Sequence, residues 1–482
     1  MQQLTGLDYM FVQQEAPRTP MHISPVIIYD ISELDRDKVR FKDVLTIFER
    51  NLHKSPIFRR KLLAKTRGFD MPYWIEDDHF DLEFHVRHIA LPKPGDWRQF
   101  CILLARLHAR GLDMTRPLWE AYVIEGLNNV EGLPRGSFAI MLKIHHCAID
   151  GVSGAEIINA IHSLTPEKEP PLVDDPWQPE RPPPATRLWS QALSNNLKLP
   201  GKFYETMSEL VPGAIKAAKI SDEHPEHKAE RLRTRFNGQI TSARVTDTLR
   251  MNLQDIKDIR NAVDGSTIND VIVSIVGGGL RKYLGAHGEL PEVSLTCGAP
   301  ISVRAREDEV AVGNQVSMMT ISLATDVEDP VKRLKAVNES AVEGKAYSSA
   351  LGAHAMMDIT QSLSPQVLGM GMRAASLAAL RSEVAMPVQT VVSNVPGPQF
   401  PLYLAGARVH TMMGMGPLLD NMGLFHAVIS GAGHICINFT CCREMLPDPD
   451  FYRQCLEAAF EELKSAAVKP RRRKRKSRAA RS

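Results

Sequence analysis

Two apolar runs, Ile23–Asp30 (ISPVIIYD) and Ser137–His145 (SFAIMLKIH), carry too few polar positions to face water and predict buried strands. Between them, Val39–His53 and Asp96–Leu112 repeat apolar residues at helical spacing, and Val152–Leu164 predicts a helix directly after the second strand. Strand and helix alternate, so residues 1–165 predict an α/β unit. The pattern breaks at Thr165–Pro184 (TPEKEPPLVDDPWQPERPPP), whose eight prolines exclude a helix or a central strand. That stretch predicts an extended linker. A helical run, Thr186–Lys219, and a polar segment complete a connection over 166–237. A second α/β unit is expected over 238–468, with strands at Ser242–Asn252, 293–300, 315–323, 388–394 and 434–442 and helices at 267–284 and 449–465. No short-period repeat occurs.

Composition bounds the function classes. With 482 residues, 44% hydrophobic and 24% charged, the body buries large cores and is neither disordered nor fibrous. The first residues, MQQLTGLDYMFVQQE, lack a basic region ahead of an apolar core and do not read as a secretory signal. No run approaches the roughly 18 apolar residues of a spanning helix. Seven scattered cysteines, of which only Cys441 and Cys442 adjoin, fit free thiols in a reducing cytoplasm better than a disulfide framework. The formal charge of +2 hides an asymmetry: Lys469–Ser482 (KPRRRKRKSRAARS) holds nine bases and no acid, leaving a net of −7 over residues 1–468. The tail reads as a disordered extension, with anionic lipid as its functional partner. Its KPRRRKRK string also fits nucleic acid locally, but the acidic body conflicts with that, and no nucleic acid is expected.

The chemistry concentrates in Lys143–Gly151 (KIHHCAIDG), where a buried strand gives way to a helix. Adjacent histidines at a strand end cannot point the same way, so one can face a cavity while the other packs. Histidine exchanges protons near neutral pH, which general base catalysis requires. Asp150 falls in the turn and Gly151 permits unusual backbone angles. A purely structural pair remains open. A metal site lacks further ligands at suitable spacing, and a serine hydrolase lacks its G-x-S-x-G elbow. Gly277-Gly278-Gly279 sits in a helical pattern without the strand–turn–helix context of a phosphate loop, and predicts close helix packing.

HHCAIDG fits the HHxxxDG signature of the chloramphenicol-acetyltransferase-like acyltransferases. Thr19-Pro20-Met21-His22, Arg116-Pro117-Leu118-Trp119-Glu120, Asn269-Asp270-Val271, Pro300-Ile301-Ser302-Val303-Arg304, Gly313-Asn314-Gln315 and Ser393-Asn394-Val395-Pro396-Gly397-Pro398 follow in order. Together, over about residues 4–465, the chain resembles the bacterial wax ester synthase/acyl-CoA:diacylglycerol acyltransferase family. The resemblance implies two chloramphenicol-acetyltransferase-like subdomains and transfer of an acyl group from acyl-CoA to diacylglycerol or a long-chain alcohol. It implies His146 as general base, His145 as its support, Asn269 as candidate oxyanion donor, and Asp150 as a structural residue for which Arg304 is a partner. Pro117, Leu118, Trp119, Ser393 and Asn394 become candidates for substrate binding, although a packed Trp119 and a turn-forming 393–398 are the plainer readings. No cofactor is expected, acyl-CoA being a substrate. The expected place is cytoplasmic, peripheral to a membrane or lipid inclusion through 469–482. Ten of the twenty methionines lie between Met356 and Met445, in a flexible acyl channel or, more simply, in a core. A condensation-type or glycolipid acyltransferase and a silent lipid-binding protein remain the rivals.

Overall fold

The computed structural model describes residues 1–66, 68–149, 153–166, 177–223, 232–302, 316–351, 355–381 and 388–468. The first half opens with β1 (Gln2–Gln3), α1 (Gly6–Gln14), β2 (His22–Asp30) and α2 (Phe41–Asn51). There follow β3 (Arg60–Leu63), β4 (Tyr73–Glu76), α3 (Leu82–His85), β5 (Val86–Ala90) and α4 (Trp97–His108). It closes with β6 (Trp119–Glu125), β7 (Phe138–His145), α5 (Ser153–Ile161) and the long α6 (Ala185–Glu223). The second half begins with β8 (Arg244–Asn252), α7 (Leu253–Ala262), α8 (Ile268–Ala286), β9 (Thr296–Ser302) and β10 (Val316–Ser322). Three helices come next, α9 (Pro330–Leu351), α10 (Ala355–Ser362) and α11 (Pro365–Arg381). The chain ends with β11 (Thr390–Pro396), β12 (Tyr403–Leu404), β13 (Ala407–Met415), β14 (Leu424–Gly431), β15 (His434–Cys442) and α12 (Pro449–Ala467).

These elements build two six-stranded sheets, in the orders β12-β13-β2-β7-β6-β5 and β10-β9-β11-β14-β15-β8, with β1, β4 and β3 forming a small third sheet. All eight residues of β7 are buried, because both faces of the first sheet are covered. One face carries the cluster of Phe48, Phe58, Trp119 and Ile140. The other carries Phe100, Leu104, Met141, Met413 and Met415. The helix patterns have matching causes. In α4 the Asp96 side chain accepts the Gln99 N–H as an N-cap, and Phe100, Leu104 and His108 repeat along its buried face.

The main departure from the sequence reading is a strand that crosses between the halves. Ala407–Met415 was not an expected strand, yet β13 forms and pairs antiparallel with β2 in the first-half sheet. The sequence boundary at 238 is therefore not the spatial one. The strand carries no clean alternation, because Thr411–Met415 is buried on both faces and a register shift falls between Val409 and Thr411. Its methionines, Met412, Met413 and Met415, lie in the cores on the two faces of the sheet. Within the linker, residues 177–184 carry no regular structure, while 167–176 lie outside the described residues. No helix among the described residues is long and apolar enough to cross a membrane.

The triple glycine packs as its context suggested. A Cβ on Gly277 would stand 2.0 Å from the Leu323 carbonyl oxygen, and one on Gly279 2.6 Å from the Leu456 side chain on α12. Backbone cannot yield as a side chain can. Gly277→Ala is expected to cost at least the ~1–3 kcal/mol typical of overpacking and to lower the thermal unfolding midpoint, while Gly285→Ala, with open space around it, leaves the midpoint unchanged or higher.

Candidate active site

The site grows from the end of β7. His145 donates its backbone N–H to the Leu118 carbonyl at 2.9 Å, and His146 donates its own to Met21 at 2.8 Å. Strands β6 and β2 thus hold the pair from both sides. A single 3₁₀ turn, His146–Ala148, then sends the two side chains apart.

His145 turns inward and is fully buried. Its Nδ1 accepts the Cys147 backbone N–H at 3.2 Å, which leaves the proton on Nε2. That Nε2 stands 3.4 Å from the Glu15 carboxylate, whose same oxygen accepts the Met21 N–H. Behind it lies a buried polar file. His22, the cross-strand partner of His145, donates Nε2–H to the His108 carbonyl at 2.9 Å. His108 accepts the Ser24 hydroxyl at Nδ1 (2.8 Å) and donates from Nε2 to the Gly416 carbonyl (3.0 Å). Burial pushes the His108 imidazole down to about 3 and His22 well below the usual range, so both are neutral structural groups.

His146 points the other way. Its ring stacks on Phe11 of α1, centroids 4.0 Å apart and planes 16° from parallel. The residue keeps partial exposure, but Nδ1 is sealed from water. Desolvation, with a smaller contribution from His145, lowers the imidazole to about 4. His146 is therefore neutral at physiological pH, the form that can accept a proton. Cys147 beside it is buried and its thiol is pushed well above the ordinary value, first by desolvation and then by Asp8 and Glu15.

The cover over this turn is the part that sequence reasoning missed. Helix α1 packs on the turn and, on its other sides, against α10 and α11. A Cβ on Gly6 would stand 2.3 Å from the Thr360 carbonyl oxygen, so α1 and α10 approach backbone to backbone. The segment after α1 is clamped to the second half: Arg18 makes a bidentate pair with Asp420 (3.1 and 2.7 Å), and the Arg18 carbonyl accepts from Arg244. The neighbouring Thr19-Pro20-Met21-His22 string marked this region in the sequence. Nothing there pointed to Phe11 or Glu15.

The other candidates separate by face. Pro117 is buried, and Leu118 packs with Leu4, Tyr9 and Cys147 directly beneath the turn. Trp119, one residue on, points to the opposite face of its strand. It is 1% exposed, stacks on Phe48 and His85, and donates Nε1–H to the Phe58 carbonyl at 3.0 Å. The structure thus places Trp119 in the first-half core and away from the turn. Asp150, Gly151 and Arg304 lie outside the described residues, as do Gly313-Asn314-Gln315.

On the second half, two of the sequence motifs meet. Asn269, in the first turn of α8, accepts at Oδ1 from the Asn394 side-chain amide of β11 at 3.5 Å. Its neighbour Asp270 closes a capping box with Thr267 and accepts the Asn338 amide at 2.8 Å, which fixes the helix start. Ser393 lies beside Asn394 on β11, partly buried. Past Pro396 the Gly397 N–H bonds the Ser430 carbonyl at 2.8 Å, and the chain crosses to β12 and β13 in the other sheet.

Comparisons with known proteins agree with this geometry. The wax ester synthase/diacylglycerol acyltransferase catalytic domain matches residues 4–272, and the C-terminal domain of the same family matches residues 312–464. A Mycobacterium tuberculosis (strain H37Rv) protein provisionally named a diacylglycerol O-acyltransferase is 32% identical over 484 residues, covering 97% of this chain and 100% of that one. Among solved structures, the wax ester synthase/diacylglycerol acyltransferase of Marinobacter aquaeolei VT8 superposes with a TM-score of 0.68 at 24% identity, over 97% of this chain and 100% of that one. The starter condensation domain of rhizomide synthetase shares the fold at a TM-score of 0.55 and 12% identity, over 97% of this chain and 95% of that one. A histidine turn at the end of a central strand, two sheets exchanging a strand, and both family domains in order lead to one conclusion: the chain belongs to the wax ester synthase/diacylglycerol acyltransferase family of acyl-CoA-dependent O-acyltransferases.

Proposed function

We propose that the protein transfers a long-chain acyl group from acyl-CoA to the hydroxyl of diacylglycerol or a long-chain alcohol, giving triacylglycerol or wax ester. The observation that carries this reading is the neutral, partly enclosed imidazole of His146 at the end of β7. His146 takes the hydroxyl proton as the alcohol oxygen attacks the thioester carbonyl. The tetrahedral intermediate collapses by breaking the C–S bond, and the imidazolium returns its proton to the CoA thiolate. A thioester is already activated, so no acyl-enzyme is needed. Asn269 is the proposed oxyanion donor: its Oδ1 accepts from Asn394, and its Nδ2–H is the donor the proposal uses. Asp150 and Arg304 are proposed to brace the loop, His145 to fix the turn, and Pro117 and Leu118 to support it from below. The nine bases of residues 469–482 are proposed to hold the enzyme at an anionic lipid surface.

The test is free-thiol release from palmitoyl-CoA with hexadecanol or dipalmitoylglycerol. His146→Ala is expected to lower kcat by the ~10²–10⁴ typical of general base catalysis, and Asn269→Ala by ~10²–10³. Full activity in His146→Ala, or none with either acceptor in the unaltered chain, overturns the reading.

Phe11 gives a second, independent readout. Removing its ring in Phe11→Ala admits water over His146, so the imidazole is expected to rise from about 4 toward the ordinary value near 6.5. The direction is fixed by the cause, since desolvation is what lowers it. The acid limb of kcat/KM then moves to higher pH, and the His146 ring resonances titrate with it, while Phe11→Tyr leaves both in place.

A further inference from the structure

Asn269 sits at a helix start that its own helix does not hold alone. It lies between Ile268 and Asp270 in the first turn of α8. A first turn has backbone N–H groups without partners in the helix, and it frays unless side chains hold it. The capping box supplies part of the hold. Thr267 Oγ1 accepts the Asp270 N–H at 3.2 Å, and Asp270 Oδ2 accepts the Thr267 N–H at 2.8 Å. The rest comes from α9. Asn338, 68 residues further along the chain, donates from Nδ2 to that same Oδ2 at 2.8 Å and to the Gly265 carbonyl at 3.1 Å. One amide therefore ties down the helix start and the turn before it, where Gly265 adopts a φ of 79°.

Packing beside this amide is incomplete. A cavity of about 330 Å³ opens between the 262–266 loop and α9, lined by Val263, Asp264, Ser266, Val331, Lys335 and Asn338 itself. A segment bordering a cavity lacks contacts on that side and takes its place from its hydrogen bonds. Asp270 is 2% exposed, so losing the Asn338 amide leaves a buried carboxylate short of a donor. Nor does the partner on β11 fix Asn269, since the Asn394 amide reaches its Oδ1 only at 3.5 Å. We infer that Asn338 is a positioning residue for acyl transfer: through Asp270 it sets the first turn of α8 and with it the place of Asn269. The inference rests on the oxyanion reading of Asn269. A donor lowers the barrier only when it is already aimed at the forming oxyanion, and a misplacement of about 1 Å can cost ~10² in rate. That loss falls on kcat, because the charge exists only as the thioester carbonyl is attacked.

The experiment joins steady-state kinetics, with palmitoyl-CoA and hexadecanol, to hydrogen exchange read by mass spectrometry on the full chain. Asn338→Ala is expected to lower kcat about tenfold and to leave the KM for palmitoyl-CoA within about twofold. Asn338→Asp, which sets a second carboxylate against Asp270, lowers kcat further. Backbone amides of 262–272 exchange faster in Asn338→Ala, while those of β7 and β15 keep their rates. On an Asn269→Ala background the same change costs less than about twofold, since the group it positions is gone. Lys335→Ala, at an exposed side chain on the same cavity wall, leaves kcat unchanged. Unaltered exchange over 262–272 overturns the inference, as does a loss that multiplies in full on the Asn269→Ala background. A raised KM with kcat intact does so too. Full activity in Asn269→Ala sinks the oxyanion reading instead, and faster exchange over 262–272 in Asn338→Ala then still identifies the clamp.

Discussion

Nine residues of the second half, Ala407–Met415, lie hydrogen-bonded along β2 of the first, and the rest of the molecule depends on that pairing. Strand β2 has two edges. One takes β13, and the other takes β7 and hence His145 and His146. Withdrawing β13 would expose an edge, uncover Met412, Met413 and Met415, and remove Gly416, whose carbonyl holds His108. The halves are thus joined by a shared sheet, which is far more demanding than two surfaces in contact. Arg18 with Asp420, and Trp97 with Asp247 at 2.8 Å, then fix the angle at which they meet.

A second consequence is a polar interior beneath the turn. Lys143, fully buried, donates Nζ–H to the Arg110 carbonyl at 2.6 Å and lies 3.7 Å from Glu120; burial lowers it to about 8. Ser24, His22 and His108 continue the file toward His145. Groups of this kind cost stability unless every donor finds an acceptor, and bonded they hold a backbone in one register. The arrangement explains why one of two chemically identical, adjacent histidines is internal while the other keeps partial exposure. What distinguishes them is the strand face, together with Glu15 on one side and Phe11 on the other.

Much of this was legible in the chain. Buried strands announce themselves as unbroken apolar runs, so β2 and β7 were found nearly to the residue, as were α8 and α12, while α4 ends four residues before the expected Leu112. The HHCAIDG turn stood out because histidine in an apolar run needs a reason. Strand β13 was hidden by its methionines and its register shift, and α1 by its shortness and by the absence of an apolar stripe. The roles of Phe11 and Glu15 were invisible for a related reason: ring stacking and a carboxylate contact across the fold leave no local pattern. Trp119 teaches the complementary lesson. In Pro117-Leu118-Trp119 adjacent residues face opposite sides of a strand, and sequence alone does not say which side holds the chemistry.

The chemistry of sulfur in this protein follows from burial. The enzyme's family handles thioesters and releases a thiol, and a cysteine thiolate near the reacting carbon would capture the acyl group or form a mixed disulfide with the product. All seven cysteines are buried and unbridged, with the thiols of Cys297 and Cys436 pushed up to about 12 and Cys455 to about 11. Cys147 is the instructive one, adjacent to His146 in sequence and next to the Nδ1 of His145 in space. A histidine neighbour ordinarily activates a thiol. Here burial and the carboxylates of Asp8 and Glu15 keep the proton on sulfur.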